Sequence, residues 1–227
     1  MHVTKRSQEF IEFALQSGAL AFGDFITKSG RRTPYFFDAG RFDQGASLRR
    51  LAGFYAQTIV ANRAAGKLRY DMLFGPAYKG IALAAATAMA LSELGEDVPF
   101  CFNRKEAKDH GEGGLIVGAA LAGRVLIIDD VITEGAAKRE AVALIRSSGA
   151  QPAGVIIMLD RMERIGPDND LSGESAVQAF ERTTQTPVIA IANLDDLLAF
   201  LRSDSPLAAG ARSQLAAMEQ YRKRYGA

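Results

Sequence analysis

Over the last two thirds of the chain, short and nearly pure apolar runs alternate with helical stretches. The runs are Asp71 to Phe74, Val98 to Phe102, Val125 to Ile128, Ala153 to Leu159 and Val188 to Ala192. Between them, Gly80 to Leu94 is alanine-rich and helical, Ala136 to Ser148 is a helix ended by Gly149, and Gly173 to Glu181 is another. Asn193 is placed to cap a further helix through Leu201. Strands without polar alternation are buried on both faces, and helices between them supply the cover. The pattern predicts an α/β chain with a parallel sheet, and such sheets bind ligands at the carboxyl ends of their strands.

The first third reads differently. Ser7 to Ser17 places Phe10, Phe13, Ala14 and Ser17 on one helical face, with Gly18 as C-cap. Ala19 to Phe37 follows no helical period and carries Gly23, Gly30 and Pro34 between aromatic runs, which predicts small strands and turns capping the main sheet. Ser47 to Ala65 is helical again, with Leu48, Leu51, Tyr55 and Ile59 in a stripe. The tail from Ala208 to Tyr225 reads as one helix whose basic run, Arg222, Lys223 and Arg224, is a solvated face. We expect a single domain over 1–227, with residues 19–40 as a hood and 206–227 as a C-terminal helix. With 27 basic and 26 acidic residues, neither nucleic acid nor a membrane surface is indicated as the main partner. The single cysteine, Cys101, excludes an internal disulfide and reads as a buried structural thiol. Met1 to Phe13 lacks the apolar core of a signal peptide, and Gly80 to Leu91 is too short to span a membrane. A soluble, cytoplasmic protein is expected.

The chemistry concentrates in Val125 to Ala137. An apolar strand delivers two adjacent carboxylates, Asp129 and Asp130, to its carboxyl end. A tight turn follows, and then a helix whose first N–H groups and dipole form an anion site. The small residues Gly135, Ala136 and Ala137 let an anion approach that backbone. Carboxylates suit ribose hydroxyls and the amide nest suits a phosphate, so the pattern fits a ribose 5-phosphate. The same pair also serves as an ordinary strand-end turn. A P-loop needs Gly-x-x-x-x-Gly-Lys-Ser/Thr, which the chain lacks, and no Gly-x-Gly-x-x-Gly follows a strand. A receiver domain carries its acid pair near its start, whereas this one lies past the midpoint.

This segment resembles the phosphoribosyl pyrophosphate (PRPP) signature of the type I phosphoribosyltransferases. The resemblance implies that fold: a central parallel sheet flanked by helices, with a small strand-containing N-terminal hood. It assigns the ribose hydroxyls to Asp129 and Asp130, and the 5-phosphate to the turn formed by Val131, Ile132, Thr133, Glu134, Gly135, Ala136 and Ala137. Glu134 is larger than the residue usual there and is expected to face solvent. Ala136 lacks a hydroxyl often found just after the glycine.

Asn103 to Gly114 is a polar, glycine-bearing loop that gathers Arg104, Lys105, Lys108 and His110. Mobile cations suit a leaving pyrophosphate, whose developing charge they neutralise. Read without the family, it is also a solvated hairpin tip. Arg-Lys-Glu-x-Lys-x-His-Gly is similar to the catalytic loop of the orotate phosphoribosyltransferases. The resemblance implies PRPP and pyrophosphate contacts for Arg104, Lys105, Lys108 and His110, with His110 a candidate proton donor. It also implies a homodimer whose loop reaches the neighbouring subunit's site.

Three further motifs match the same family. Gly75-Pro76-Ala77-Tyr78-Lys79-Gly80 implies PRPP contacts for Tyr78 and Lys79. Lys28-Ser29-Gly30-Arg31 through Tyr35-Phe36-Phe37 implies that Lys28 meets PRPP and that Phe36 and Phe37 line orotate. Leu159-Asp160-Arg161 places a guanidinium where, with the Thr133 hydroxyl, it meets the orotate carboxylate. The implied reaction joins orotate to PRPP, giving orotidine 5'-phosphate and pyrophosphate in pyrimidine (UMP) biosynthesis. Mg²⁺ is expected on PRPP oxygens and water, with Asp129 and Asp130 the carboxylates open to it. A purine-base phosphoribosyltransferase and a non-catalytic PRPP sensor on the same fold are the alternatives. The aromatic block and Arg161 speak against the first, and the lack of a DNA-binding segment against the second.

Overall fold

The computed structural model describes residues 4–27, 30–108, 114–133 and 135–227, with the backbone alone for 107–108. Its main sheet has six strands in the order β5-β4-β3-β6-β7-β8. These are β3 (Met72–Gly75), β4 (Phe100–Lys108), β5 (Gly114–Gly118), β6 (Arg124–Ile128), β7 (Gln151–Asp160) and β8 (Val188–Asn193). Every pairing is parallel except that of the edge strand β5 with β4. A separate antiparallel hairpin, β1 (Leu20–Ile26) with β2 (Arg32–Phe37), precedes it.

The five apolar runs became β3, β4, β6, β7 and the edge strand β8, and the central ones are covered on both faces. On one face Leu73, Leu126, Ile128, Ile156 and Met158 join a core built with α1 (Lys5–Gln16), α2 (Gly45–Ala64) and α3 (Lys79–Glu93). On the other, Met72, Phe74, Val125, Ile127, Val155 and Ile157 pack under α4 (Ala136–Ser147) and α5 (Ala176–Thr184). Cys101 is buried in this second core, and burial pushes its thiol up to about 11, so it is inert packing. Helix α5 starts at Ala176, not Gly173, because Ser175 caps it in a reciprocal box with Gln178. Asn193 caps α6 (Leu194–Arg202) as expected, accepting from the Asp196 amide.

Two expectations are corrected. The segment expected as a loop from Asn103 is strand to Lys108, hydrogen-bonded to β5. An exposed edge pair needs only backbone partners, so its polar side chains resemble a loop in sequence. The tail is two helices, α7 (Pro206–Ala211) and α8 (Leu215–Tyr225), joined by a 3₁₀ turn at Arg212–Gln214. Lys223 and Arg224 of its basic run are exposed as expected, but Arg222 is half-buried, its Nε 2.9 Å from Asp195.

Helix α8 buttresses the hairpin. Tyr221 packs edge-on against the fully buried Tyr35, and Arg31 lies over the Tyr225 ring. Arg31 also donates to the Gly166 carbonyl, which ties β2 to the segment after β7. The hairpin is thus fixed over the carboxyl end of the sheet. No helix among the described residues is long and apolar enough to cross a membrane.

The start of α3 lies so close to the sheet that Gly80 has no room for a side chain. A Cβ there would fall 2.5 Å from Pro76 Cδ and 2.9 Å from the Ile128 carbonyl oxygen. Gly80→Ala should therefore push apart the β3–α3 turn and the end of β6, at a cost of about 1–3 kcal/mol. A lower midpoint in urea unfolding, together with a raised KM for PRPP, is the expected result. An unchanged midpoint would show that the turn gives way freely.

Candidate active site

Asp129 and Asp130 leave β6 at the carboxyl edge of the sheet, in the middle of its strand order. The Asp129 amide donates to the Ile156 carbonyl, and the Met158 amide donates to that of Asp130, so β7 holds the segment in place. From the opposite face, the buried Tyr55 hydroxyl of α2 donates to the Asp129 carbonyl at 2.7 Å. Backbone amides and two lysines occupy the carboxylates themselves. Asp129 Oδ1 accepts from the Asp130 amide and Asp130 Oδ1 from the Val131 amide. Lys138 Nζ sits 2.7 Å from Asp129 Oδ2, and Lys79 Nζ sits 2.7 Å from Asp130 Oδ2.

The two acids differ in charge environment. Burial lifts the Asp129 carboxyl above the usual range, against the pull of Lys138. Burial also acts on Asp130, but the Lys79 hydrogen bond and the Lys138 charge outweigh it and hold the group below that range. For Lys79, burial opposes the charge, yet its bond to Asp130 keeps the ammonium above its ordinary value.

Beyond the acids, Val131 pairs with Leu159, Ile132 is buried, and Thr133 is exposed. Gly135 is the N-cap of α4, with φ at +71°, and it offers no side-chain cap. The amides of Ala136 and Ala137 therefore open the helix without a side-chain partner at the cap, as an anion site requires. Under this turn lies the fully buried Phe180 ring.

The β3–α3 turn and the start of the β4–β5 hairpin face α4 across a cleft of about 610 Å³, lined by Pro76, Ala77, Asn103, Arg104, Lys105, Ala136 and Ala137 among others. Asn103 Oδ1 accepts from the Ala77 amide at 2.9 Å and couples the two turns. The Ala77–Tyr78 peptide is cis. Tyr78 is exposed, and Lys105 Nζ lies 4.8 Å from its ring centre. Lys28, His110 and Glu134 lie outside the described residues, and of Lys108 only the backbone is described.

Arg161 follows β7 two residues after Leu159, as Thr133 follows two after Val131, so the bridge between those partners brings both residues to neighbouring strand ends. Arg161 Nε donates to Glu163 Oε1 at 2.9 Å. The guanidinium lies 5.1 Å over the Tyr35 ring, and Tyr35 Oη donates to the same Glu163 oxygen. Burial opposes the charge on Arg161, but Tyr35 and Glu163 more than compensate and hold it above its usual range. Its Nη2 lies 2.8 Å from the same Glu163 oxygen, so two guanidinium nitrogens converge on one carboxylate atom. The next residue, Met162, has φ at +51°, a strained setting for a side chain with a Cβ, and Asp160 stabilises it by accepting its amide.

Phe36 and Phe37 alternate across β2. The Phe36 ring pairs with Phe25 on the exposed face, whereas Phe37 packs beside Phe10 and Phe42 on the Tyr35 side, toward Arg161. Lys138, Tyr55, Asn103 and Glu163 were absent from the site expected from sequence. For Lys138 a signal existed: it shares the buried stripe of α4 with Ala141, Val142 and Ile145, a lysine at a core position.

The comparisons with known proteins agree with this geometry. The model of the phosphoribosyl transferase domain matches residues 42–188. The orotate phosphoribosyltransferase of Herminiimonas arsenicoxydans is 57% identical over 223 residues, covering 96% of this chain and 97% of its own. That of Cupriavidus necator is 55% identical, covering 97% of this chain and 94% of its own. A crystal structure of orotate phosphoribosyltransferase from Francisella tularensis superposes with a TM-score of 0.83 at 38% identity, covering 96% of this chain and all of that one. The chain belongs to the phosphoribosyltransferase family and, within it, to the orotate phosphoribosyltransferases.

Proposed function

We propose that the chain transfers ribose 5-phosphate from PRPP to orotate, with the sugar held between the acid pair and the first turn of α4. One observation carries this reading: two carboxylates at the end of a central strand stand six and five residues before the helix N-cap Gly135, which has no side-chain cap, with a displaceable lysine on the outer acid. Lys79 is more than half exposed, whereas Lys138 is buried. If Lys79 swings to the pyrophosphate, Asp130 Oδ2 is released to accept from the ribose hydroxyls. Thr133 through Ala137 take the 5-phosphate.

The bond from C1 to the pyrophosphate oxygen breaks as orotate N1 bonds to C1, through an oxocarbenium-like transition state. Arg104 and Lys105, with Lys108 and His110 of the same segment, neutralise the charge growing on the pyrophosphate. Tyr78 and Lys28 belong to the PRPP site in this reading. Orotate lies under the hood, its carboxylate on the Arg161 guanidinium with Thr133 nearby, and its ring against Phe37 and the backbone of Phe36. No group of three metal-ligating side chains occurs among the described residues, and lysines engage both aspartates. In this reading Mg²⁺ would be held through PRPP oxygens and water and would supply charge neutralisation to the leaving group. The homodimer with a shared loop and the cytoplasmic setting are part of the same proposal.

The test is the loss of orotate ultraviolet absorbance when PRPP and Mg²⁺ are added to freshly purified protein, with adenine, guanine and hypoxanthine as competing bases. Turnover confined to orotate is expected. No change with any base would end the enzymatic reading.

A further inference from the structure

Lys138 has no place in the motif as read from sequence, and local helix physics does not account for it. It is the third residue of α4, where a cation opposes the positive end of the helix dipole by about 0.3–1 kcal/mol. It is also 7% exposed, and a buried lysine is retained only when it is paired. The pairing is complete. Asp129 Oδ2 at 2.7 Å, Asp130 Oδ1 at 3.4 Å and the Val131 carbonyl at 2.6 Å surround Nζ, one oxygen for each N–H it carries. No donor is left for a substrate, so any influence on catalysis passes through the acids.

We propose that Lys138 is a positioning residue for PRPP: the fixed counter-ion that keeps Asp129 and Asp130 ionised and oriented after Lys79 has left Asp130 for the pyrophosphate. This rests on the acids gripping the ribose. In the free protein two ammonium groups balance two carboxylates. Once Lys79 moves, Lys138 alone separates two adjacent buried negative charges. Without it, one acid binds a proton and its charge-assisted acceptance of a ribose hydroxyl is lost. Asp129 is the acid that takes the proton, because burial already lifts it. Among the described residues, the charged and titratable groups facing the pair are Lys79 from α3, Tyr55 from α2 and Lys138 from α4, with Asp38 beyond Lys79. Of these groups, Lys138 is the one that is both cationic and buried. A carboxyl raised further protonates as the pH falls, so the defect must deepen toward acid.

The experiment is calorimetric titration of PRPP with Mg²⁺, in the absence of orotate, into wild type, Lys138→Met, Lys138→Arg and Asp129→Asn between about pH 6 and pH 8.5. Steady-state kinetics accompany it. Relative to wild type, Lys138→Met should bind PRPP about tenfold more weakly at the alkaline end and about a hundredfold at the acid end, with kcat at saturating PRPP within about threefold. Lys138→Arg keeps the charge and should keep the flat ratio across pH, which remains testable if the methionine variant does not fold. Wild-type affinity in Lys138→Met, a loss independent of pH, or an acid-dependent loss in Lys138→Arg would overturn the proposal. If Asp129→Asn binds PRPP as wild type does, the ribose reading itself fails, whatever Lys138→Met shows.

Discussion

Lys105→Ala should lower kcat by about 10²–10³-fold while leaving the KM for PRPP within about threefold. In the ligand-free chain this ammonium rests over the exposed Tyr78 ring at 4.8 Å. An exposed cation–π contact is worth about 0.5–1 kcal/mol, so the side chain is held where it is useful but is cheap to move. Its charge matters most when the C1–oxygen bond is breaking and the pyrophosphate gathers negative charge. Binding of the intact substrate, already served by Lys79 and the amides of α4, should suffer little. Lys105→Arg should recover part of kcat. Equal turnover in the alanine variant removes Lys105 from the chemistry. Mixing decides which subunit the loop serves. If it acts across a homodimer, co-folded Lys105→Ala and Arg161→Ala chains, assayed at orotate far below the raised KM of Arg161→Ala, recover activity, because half of the dimers are hybrids with one intact site. The yield approaches about a quarter of wild type. A loop acting within its own subunit recovers none.

The legible parts of this molecule share one physical cause. Val125 to Ile128 could be read as strand because it is buried on both faces, and burial on both faces leaves no polar alternation. Asp129 and Asp130 stood out because charge directly after such a run must lie at the sheet's carboxyl edge. What escaped depends on partners distant in sequence or on backbone bonding. The Asn103 to Lys108 end of β4 has no apolar signature, since it owes its place to hydrogen bonds with β5. Tyr55 reads as a core residue of α2, and only the fold brings its hydroxyl to Asp129, 74 residues on. Glu163 reads as a surface acid, yet Tyr35, Arg31 and Arg161 converge on it from far-separated segments. Lys138 was visible in principle, a cation on the apolar stripe of α4, but its helix also carries Arg139 and Glu140, which make a third charge look ordinary.

Arg161→Ala should raise the KM for orotate about a hundredfold and leave PRPP affinity unchanged. A charged hydrogen bond to a carboxylate is worth about 1.5–3 kcal/mol, and the variant also leaves Glu163 short of one partner in a half-enclosed setting. Two features make the guanidinium a recognition group and not a structural strut. Its Nε and Nη2 both converge on one Glu163 oxygen, at 2.9 and 2.8 Å, which fixes the plane of the fork while 19% of the side chain stays open toward the site. Arg31 meanwhile secures the hood without Arg161, through the Gly166 carbonyl and the Tyr225 ring. The hood should therefore survive the substitution, and the thermal midpoint should move far less than the orotate KM. Lys at this position should restore little, because a single ammonium cannot engage Glu163 and a substrate carboxylate with the geometry of a planar fork. An orotate analogue lacking the carboxylate supplies the complementary arm. Wild type should discriminate against it strongly, and Arg161→Ala should treat it and orotate nearly alike. A variant that still prefers orotate would place the carboxylate elsewhere.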